Sequence, residues 1–238
     1  MALTLYLAMT AAEMQSCAVF PEHVAWMACH FSPYHNGLSN IPTQLPTGSV
    51  LILNDRIPPQ GHDPAVVAAQ LAQAVGALNI SRVLLDLQRP DNAETAQIAK
   101  AITQRLACPV GVTPMYAQAL SCAVFLTPRL RIPLSEQLKQ WLGREIWLDA
   151  ALDCEQIEVT KTGSIISPGS IPDAPKVVHT DQPSHCRYCL ELEESCARFT
   201  VWRDMAQLKN LLSDADDQQI ACAIGLYQQL QKTTAEDD

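Results

Sequence analysis

The sequence contains no unbroken apolar stretch near the roughly 20 residues a helix needs to cross a bilayer, so no membrane span is predicted. Basic residues are few: 16 Lys and Arg stand against 25 Asp and Glu, for a net charge of −9. They are scattered and form no stripe, which excludes nucleic acid as the expected partner, because that affinity rests on clustered cations. No glycine-rich loop opens a helix N-terminus, so a phosphate ligand is not favoured and no cofactor is expected. The opening residues 1–12 lack the positively charged start of a secretion signal, and their apolar run 3–9 is broken by Thr4. They read as a buried strand. Most of the nine cysteines sit inside or beside apolar runs (Cys17, Cys29, Cys108, Cys122, Cys222), where a free thiol behaves as a small hydrophobe. With no secretion signal recognised, the expectation is a reduced, cytoplasmic protein.

What is present is a repeating alternation. Short apolar runs at residues 3–9, 24–29, 50–53, 83–87, 110–112, 123–126, 146–148 and 220–227 are separated by helical patterns. Continuous Val, Ile and Leu runs suit parallel strands covered on both faces. Asp63 followed by Pro64 predicts a helix start, with Val67, Leu71, Ala74, Val75 and Leu78 forming its apolar stripe. Asp91 and Asn92 are expected to cap a helix through Ile98, Ile102 and Leu106. Residues 135–142 form a shorter helix closed by Gly143, and Asp204 caps a helix with Met205, Leu208 and Leu212 inward. Strand, helix, strand at this spacing implies a parallel sheet with right-handed crossovers. Eight strands close economically into a (β/α)8 TIM barrel; an open doubly wound sheet is the alternative.

Two regions interrupt the alternation. Residues 31–48 form a long loop rich in turn residues. Residues 154–197, after the seventh strand, are expected to form a β-rich insertion. A hairpin there runs 156–160 and returns as 164–166, a Pro-rich stretch (Pro168, Pro172, Pro175) follows, and a second hairpin runs 186–191 and returns as 197–202. Residues 1–230 are read as one barrel including this insertion, and 231–238 as a polar tail.

In parallel barrels the active site lies where strands end. Those ends supply Glu13, His30, Tyr34, Asn54, Asp55, Asp86, Gln88, Tyr116, Asp149, Tyr227 and Gln228. The set is polar and aromatic, with carboxylates on separate strands. It suits a neutral, hydroxyl-rich ligand such as a sugar; individual members could equally be helix caps. His62, between Gly61 and Asp63, reads as a loop residue.

Residues 81–90, SRVLLDLQRP, resemble the fourth-strand signature of glycoside hydrolase family 18, the chitinase-like barrels. Aligned on Pro90, the family's last aspartate falls on Asp86 and its catalytic glutamate on Gln88. Earlier aspartates of that signature fall on Leu84 and Ser81. Residues 199–209, FTVWRDMAQLK, are similar to the family's aromatic-acidic segment before a helix, and residues 220–227, IACAIGLY, to its last strand. Tyr227 takes the place of the tryptophan that floors the sugar site there.

The resemblance implies a glycan-binding barrel, and the departures imply that the family's reaction is lost. Family enzymes need a protonated glutamate to donate to the leaving oxygen while the substrate's acetamido group attacks, an exception to the two-carboxylate scheme. Glutamine can hydrogen-bond a glycosidic oxygen but has no titratable proton. The sixth strand also lacks the family's tyrosine-aspartate pair. Three readings follow: a barrel that binds a glycan or similar polar ligand without cleaving it; a hydrolase using relocated carboxylates (Asp55, Asp149 or Glu13); and a scaffold with an inert mouth. Cys186, Cys189 and Cys196 with His185 or His179 could offer zinc ligands, but residues three apart on a strand face opposite ways. No metal is expected, and the oligomeric state is left open.

Overall fold

The computed structural model describes residues 2–90, 93–172 and 177–231. The first half of the chain contains β1 (Thr4–Met9), α1 (Ala11–Ser16), β2 (Val24–Phe31), β3 (Leu38–Ser39), β4 (Val50–Asn54), α2 (Pro64–Leu78), β5 (Arg82–Asp86) and α3 (Ala93–Arg105). There follow β6 (Val110–Val112), α4 (Pro114–Ala117), β7 (Ala123–Leu126), α5 (Leu134–Leu138) and β8 (Ile146–Asp149). Five further strands come next: β9 (Cys154–Thr160), β10 (Gly163–Pro168), β11 (His179–Asp181), β12 (Cys186–Leu192) and β13 (Cys196–Trp202). The described chain ends with α6 (Met205–Asp217), β14 (Cys222–Leu226) and α7 (Tyr227–Gln231).

Eight parallel strands run in the order β1-β2-β4-β5-β6-β7-β8-β14, and β14 pairs back onto β1, which closes the barrel. The open doubly wound alternative is thereby excluded. Alternation along each strand divides the apolar residues into two sets. Leu51, Leu53, Val83, Leu85, Ile146 and Leu148 face outward into the layer formed with the helices. Val50, Ile52, Leu84, Phe125, Trp147 and Ile224 face inward and pack with one another. This is the period of two expected of strands, and it explains why the runs read as continuously apolar. Trp147 is fully buried in the interior, and its indole lies against β6, where Gly111 has no Cβ to collide with it.

The helix starts follow the local chemistry. The Asp63 carboxylate accepts the Ala65 N–H at 2.8 Å with Pro64 in the first turn, and Asp204 caps α6 through the N–H groups of Ala206 and Gln207. Asp91 and Asn92, expected to cap α3, and Pro175 lie outside the described residues, as do 232–238. Between β2 and β4 there is no helix, only β3 folded back antiparallel on the end of β2. No helix among the described residues is long and apolar enough to cross a membrane.

The β-rich insertion after the seventh barrel strand is one five-stranded antiparallel sheet in the order β10-β9-β13-β12-β11. The two expected hairpins are both present, and β9 and β13 pair across the segment between them. The sheet continues past residue 197 to Trp202, because the end of β13 is buried against the barrel. Leu130, after β7, packs with Cys186 and Val201 at its base.

Candidate functional site

Strand parity fixes what faces the barrel mouth. Asn54, Asp86 and Asp149 end β4, β5 and β8 two positions beyond the inward-facing Ile52, Leu84 and Trp147, so all three point inward. They help to line a cavity of about 840 Å³, floored by Ile52, Leu84, Phe125 and Ile224. The volume suits a ligand of more than one ring. Thr10, His30, Asn40, Asp55, Arg56, Gln88, Asp153 and Gln229 complete its polar lining.

At the centre of the wall, the Gln88 side-chain amide donates to Asp86 Oδ1 at 2.5 Å. The peptide that carries Gln88 is held from both sides. Asp55, one position past the inward Asn54 and therefore turned toward the neighbouring strand, accepts the N–H of Gln88 at 3.0 Å and of Arg89 at 2.8 Å. The Arg89 guanidinium returns to the carbonyls of Asp55 and Arg56 at 2.8 and 2.9 Å. From the other side, Thr113 Oγ1 donates to the Leu87 carbonyl at 2.7 Å. Asp55 is almost wholly buried, and both of its oxygens are engaged by backbone. It builds the site and has little left for a ligand.

Asn54 has a comparable duty. Its amide donates to the carbonyls of Met27 and Cys29, each at 3.0 Å, where the register between β2 and β4 shifts. An irregular strand leaves such carbonyls without ladder partners, and the Asn54 side chain satisfies two of them. His30 is pinned between the Phe31 carbonyl at 2.8 Å on Nδ1 and the Asn40 amide at 3.1 Å on Nε2. An amide donor at Nε2 puts the ring proton on Nδ1, donating to Phe31.

Across the cavity, Thr127 Oγ1 donates to Asp149 Oδ2 at 3.0 Å. Burial pushes the Asp149 carboxyl up to about 6; the Thr127 hydroxyl opposes the rise, while Asp153 and Asp86 add to it. Burial also raises Asp86, against the Gln88 amide and with a contribution from Asp55. Asp153 is raised by burial as well, with Arg203 pulling the other way. Arg203, at the junction of insertion and barrel, is almost completely buried, and its guanidinium has no hydrogen-bond partner among the described residues. Burial lowers its pKa, and Asp153, Cys186 and Asp149 counter that effect.

Of the residues singled out from sequence, His30, Asn54, Asp55, Asp86, Gln88 and Asp149 come together at the cavity, and five do not. Glu13 closes a capping box on α1, its Oε2 accepting the N–H and the hydroxyl of Thr10, each at 2.7 Å. Tyr34 is 92% exposed on the loop after β2. Tyr116 is buried in α4, with its hydroxyl donating toward the Arg89 carbonyl at 3.4 Å. Tyr227 starts α7 with its hydroxyl 3.6 Å from Cys17 Sγ, and Gln228 is exposed beside it. Among the described lining residues the aromatic rings are therefore Phe125 and His30. Asn40, Asp153 and Gln229 were not anticipated. Gln229 accepts the Leu152 N–H at 3.3 Å from the start of a helix, where the period of two no longer indicates direction.

His62 lies in the loop before α2, its ring edge-on to Phe31 at 5.5 Å. Cys186 and Cys189 lie three apart on β12 and so on opposite faces, and His185 Nε2 meets Asp214 Oδ2 of α6 at 2.6 Å.

In sequence the chain matches no protein-family model and no curated protein. In structure it matches the spore cortex-lytic enzyme SleL of Bacillus cereus with a TM-score of 0.55 at 8% identity, over 94% of this chain and 70% of that one. It matches ydhD of Bacillus subtilis, described as a sporulation-specific glycosylase, with a TM-score of 0.52 at 9% identity, over 84% and 90%. A chitinase of Chromobacterium violaceum gives 0.51 at 9% identity, over 95% and 94%. What the chain shares with them is the fold, a closed eight-stranded (β/α) barrel. In that fold Gln88 follows the fourth barrel strand, β5, where the resemblance of residues 81–90 put it.

Proposed function

We propose that this chitinase-like barrel is a divergent relative of glycoside hydrolase family 18 that binds a glycan or similar hydroxyl-rich ligand without the family's usual catalysis. The observation that carries the reading is Gln88. It stands at the end of the fourth barrel strand, on the wall of an 840 Å³ cavity, with its amide hydrogen-bonded to Asp86. An amide there can orient an ether or acetamido oxygen and cannot protonate one. The polar lining offers donors and acceptors on several strands, which is the requirement for a ring of hydroxyls. The scarcity of aromatic faces predicts weak affinity for a single sugar and favours a ligand held by hydrogen bonds. The protein is proposed to act in the cytoplasm, with its cysteines reduced.

The test is a thermal-shift and calorimetric screen of the whole protein against N-acetylglucosamine oligomers. Stabilisation that is lost when Asp86 is changed to Ala supports the reading. A uniformly flat panel rejects glycan binding and leaves the inert-scaffold reading in its place.

One observation favours a second reading, hydrolysis by relocated carboxylates. Asp149 lies across the cavity with a pKa of about 6, which keeps part of its population protonated near neutral pH, as a general acid requires. Turnover of a chromogenic N-acetylglucosaminide by the wild type, abolished in Asp149→Asn, would establish it. Absence of turnover in the wild type returns the mouth to binding alone.

A further inference from the structure

The outer edge of the insertion sheet is unlike the edges proteins normally leave open. β10, the sequence GSIISP, has no charged side chain, and every one of its residues is exposed. Ile165 and Ile166 are 69% and 50% exposed. Open edges usually carry lysines, inward charges or covering loops, because their unpaired N–H and C=O groups template further pairing. Among the described residues no strand pairs with the outer side of β10.

The pairing with β9 settles which groups that edge presents. Thr160 opposes Gly163 across the two-residue turn at 161–162. In a two-residue hairpin the closing pair is the hydrogen-bonded one, so Gly163, Ile165 and Ser167 bond to β9. The backbone groups of Ser164 and Ile166 then point outward, and Pro168 ends the edge because it has no N–H.

We propose that β10 is a self-pairing edge, and that two copies of this chain join their insertion sheets antiparallel through it about a two-fold axis at Ile165. In this register Ser164 opposes Ile166 of the second copy, and four N–H···O=C bonds form between the outward groups. The sheet faces also match. On one face the row Leu190–Phe199–Ile157–Ile166 continues into Ser164, Val159, Ala197 and Leu192 of the second copy, apolar except for one serine. On the other face the two Ile165 side chains meet, each flanked inward by the Glu158–Arg198–Glu191 row, in which Arg198 pairs with both carboxylates and one net negative charge remains per copy, one strand back from the seam. The strands that meet are neutral, which matters for two chains of net charge −9. Lys161 of each copy comes beside Pro168 and Gly169 of the other, one strand from Glu155, so opposite charges approach at both ends.

The occupant is a second copy because the alternatives fit the edge less well. The sheet's other edge, β11, has three residues and carries Asp181, so a head-to-tail β10–β11 pairing is short and leaves open ends. Isologous pairing closes as a dimer. The strand is short, so the interface is smaller than the ~1,200 Å² of a stable complex, and the expected association is weak and transient, with a dissociation constant on the order of 10 µM. This inference is independent of what the barrel mouth binds.

Sedimentation velocity on the whole protein from about 1 to 100 µM tests it. The wild type is expected to shift from monomer to dimer across that range. Ile165→Lys sets two ammonium groups opposite each other, and Ile166→Pro deletes an outward N–H. Each is expected to weaken the dimer at least about tenfold while leaving the thermal melt of the dilute monomer unchanged, since the strand is exposed. A wild type that stays monomeric at 100 µM overturns the proposal, as does a dimer that both variants leave intact.

Discussion

The carboxylate of Asp55 accepts the backbone N–H of Gln88 at 3.0 Å and, through its other oxygen, the N–H of Arg89 at 2.8 Å. One buried side chain at the end of the third barrel strand thus sets the conformation of the loop after the fourth. Asp55→Ala removes the partner of two N–H groups and is expected to cost about 2–4 kcal/mol of stability. Asp55→Asn keeps one acceptor and should cost less. Urea unfolding measures both, and amide exchange at Gln88 and Arg89 is expected to accelerate more than at core strands.

Gln88→Glu replaces an amide donor with an acceptor against Asp86 Oδ1. Two carboxylates at hydrogen-bond distance cannot both ionise without repulsion, so the pair holds a proton that the wild type does not. The variant is expected to be about 1–2 kcal/mol less stable than wild type near pH 7.5 and close to equal near pH 5. Denaturation curves at the two pH values read this directly. A trace of N-acetylglucosaminide cleavage with the same pH dependence would give the family resemblance of residues 81–90 a chemical basis.

The barrel was legible because its strands are buried on both faces, so that Val, Ile and Leu runs at residues 50–53 or 83–87 declare themselves without context. The strand ends were legible for the same reason: the period of two carries Asn54, Asp86 and Asp149 inward from Ile52, Leu84 and Trp147. Farther along the loops and into the helices, that rule fails. Tyr34, Tyr116 and Tyr227 follow loop and helix geometry, and none reaches the cavity. The duty of Asp55 is set by a loop 33 residues away in sequence, and the β9–β13 pairing by a segment whose length says nothing about register. Long-range pairings of this kind have no local signal.

Asp149 gives the protein a pH signature. Its pKa is higher folded, at about 6, than the ordinary 3.8, so the folded state binds the proton more tightly than the unfolded chain. Stability from this group is therefore greatest in acid, falls as the pH rises from about 4 to about 6, and is level above that. The rise corresponds to a loss on the order of 3 kcal/mol across the window. Asp86 and Asp153 are raised as well and act in the same direction. Asp149→Asn removes the largest part, so its unfolding free energy is expected to vary less between pH 4.5 and 7.5 than that of the wild type. An equal slope in the two proteins would place the effect elsewhere.

The barrel interior makes the last prediction. A Cβ on Gly111 would run into the six-membered ring of Trp147, which is fully buried and cannot swing aside, with its Nε1 donating to Glu145 Oε1 at 2.8 Å. Gly111→Ala is thus an overpacking change in a closed lumen and is expected to cost about 3 kcal/mol. Trp147→Phe alone leaves a void and costs a comparable amount. Combined, the smaller ring makes room for the methyl group, so the double variant should lose less than the sum of the two. A double-mutant cycle by urea denaturation measures that coupling, and strictly additive losses would mean that Gly111 is required by its backbone and not by its neighbour.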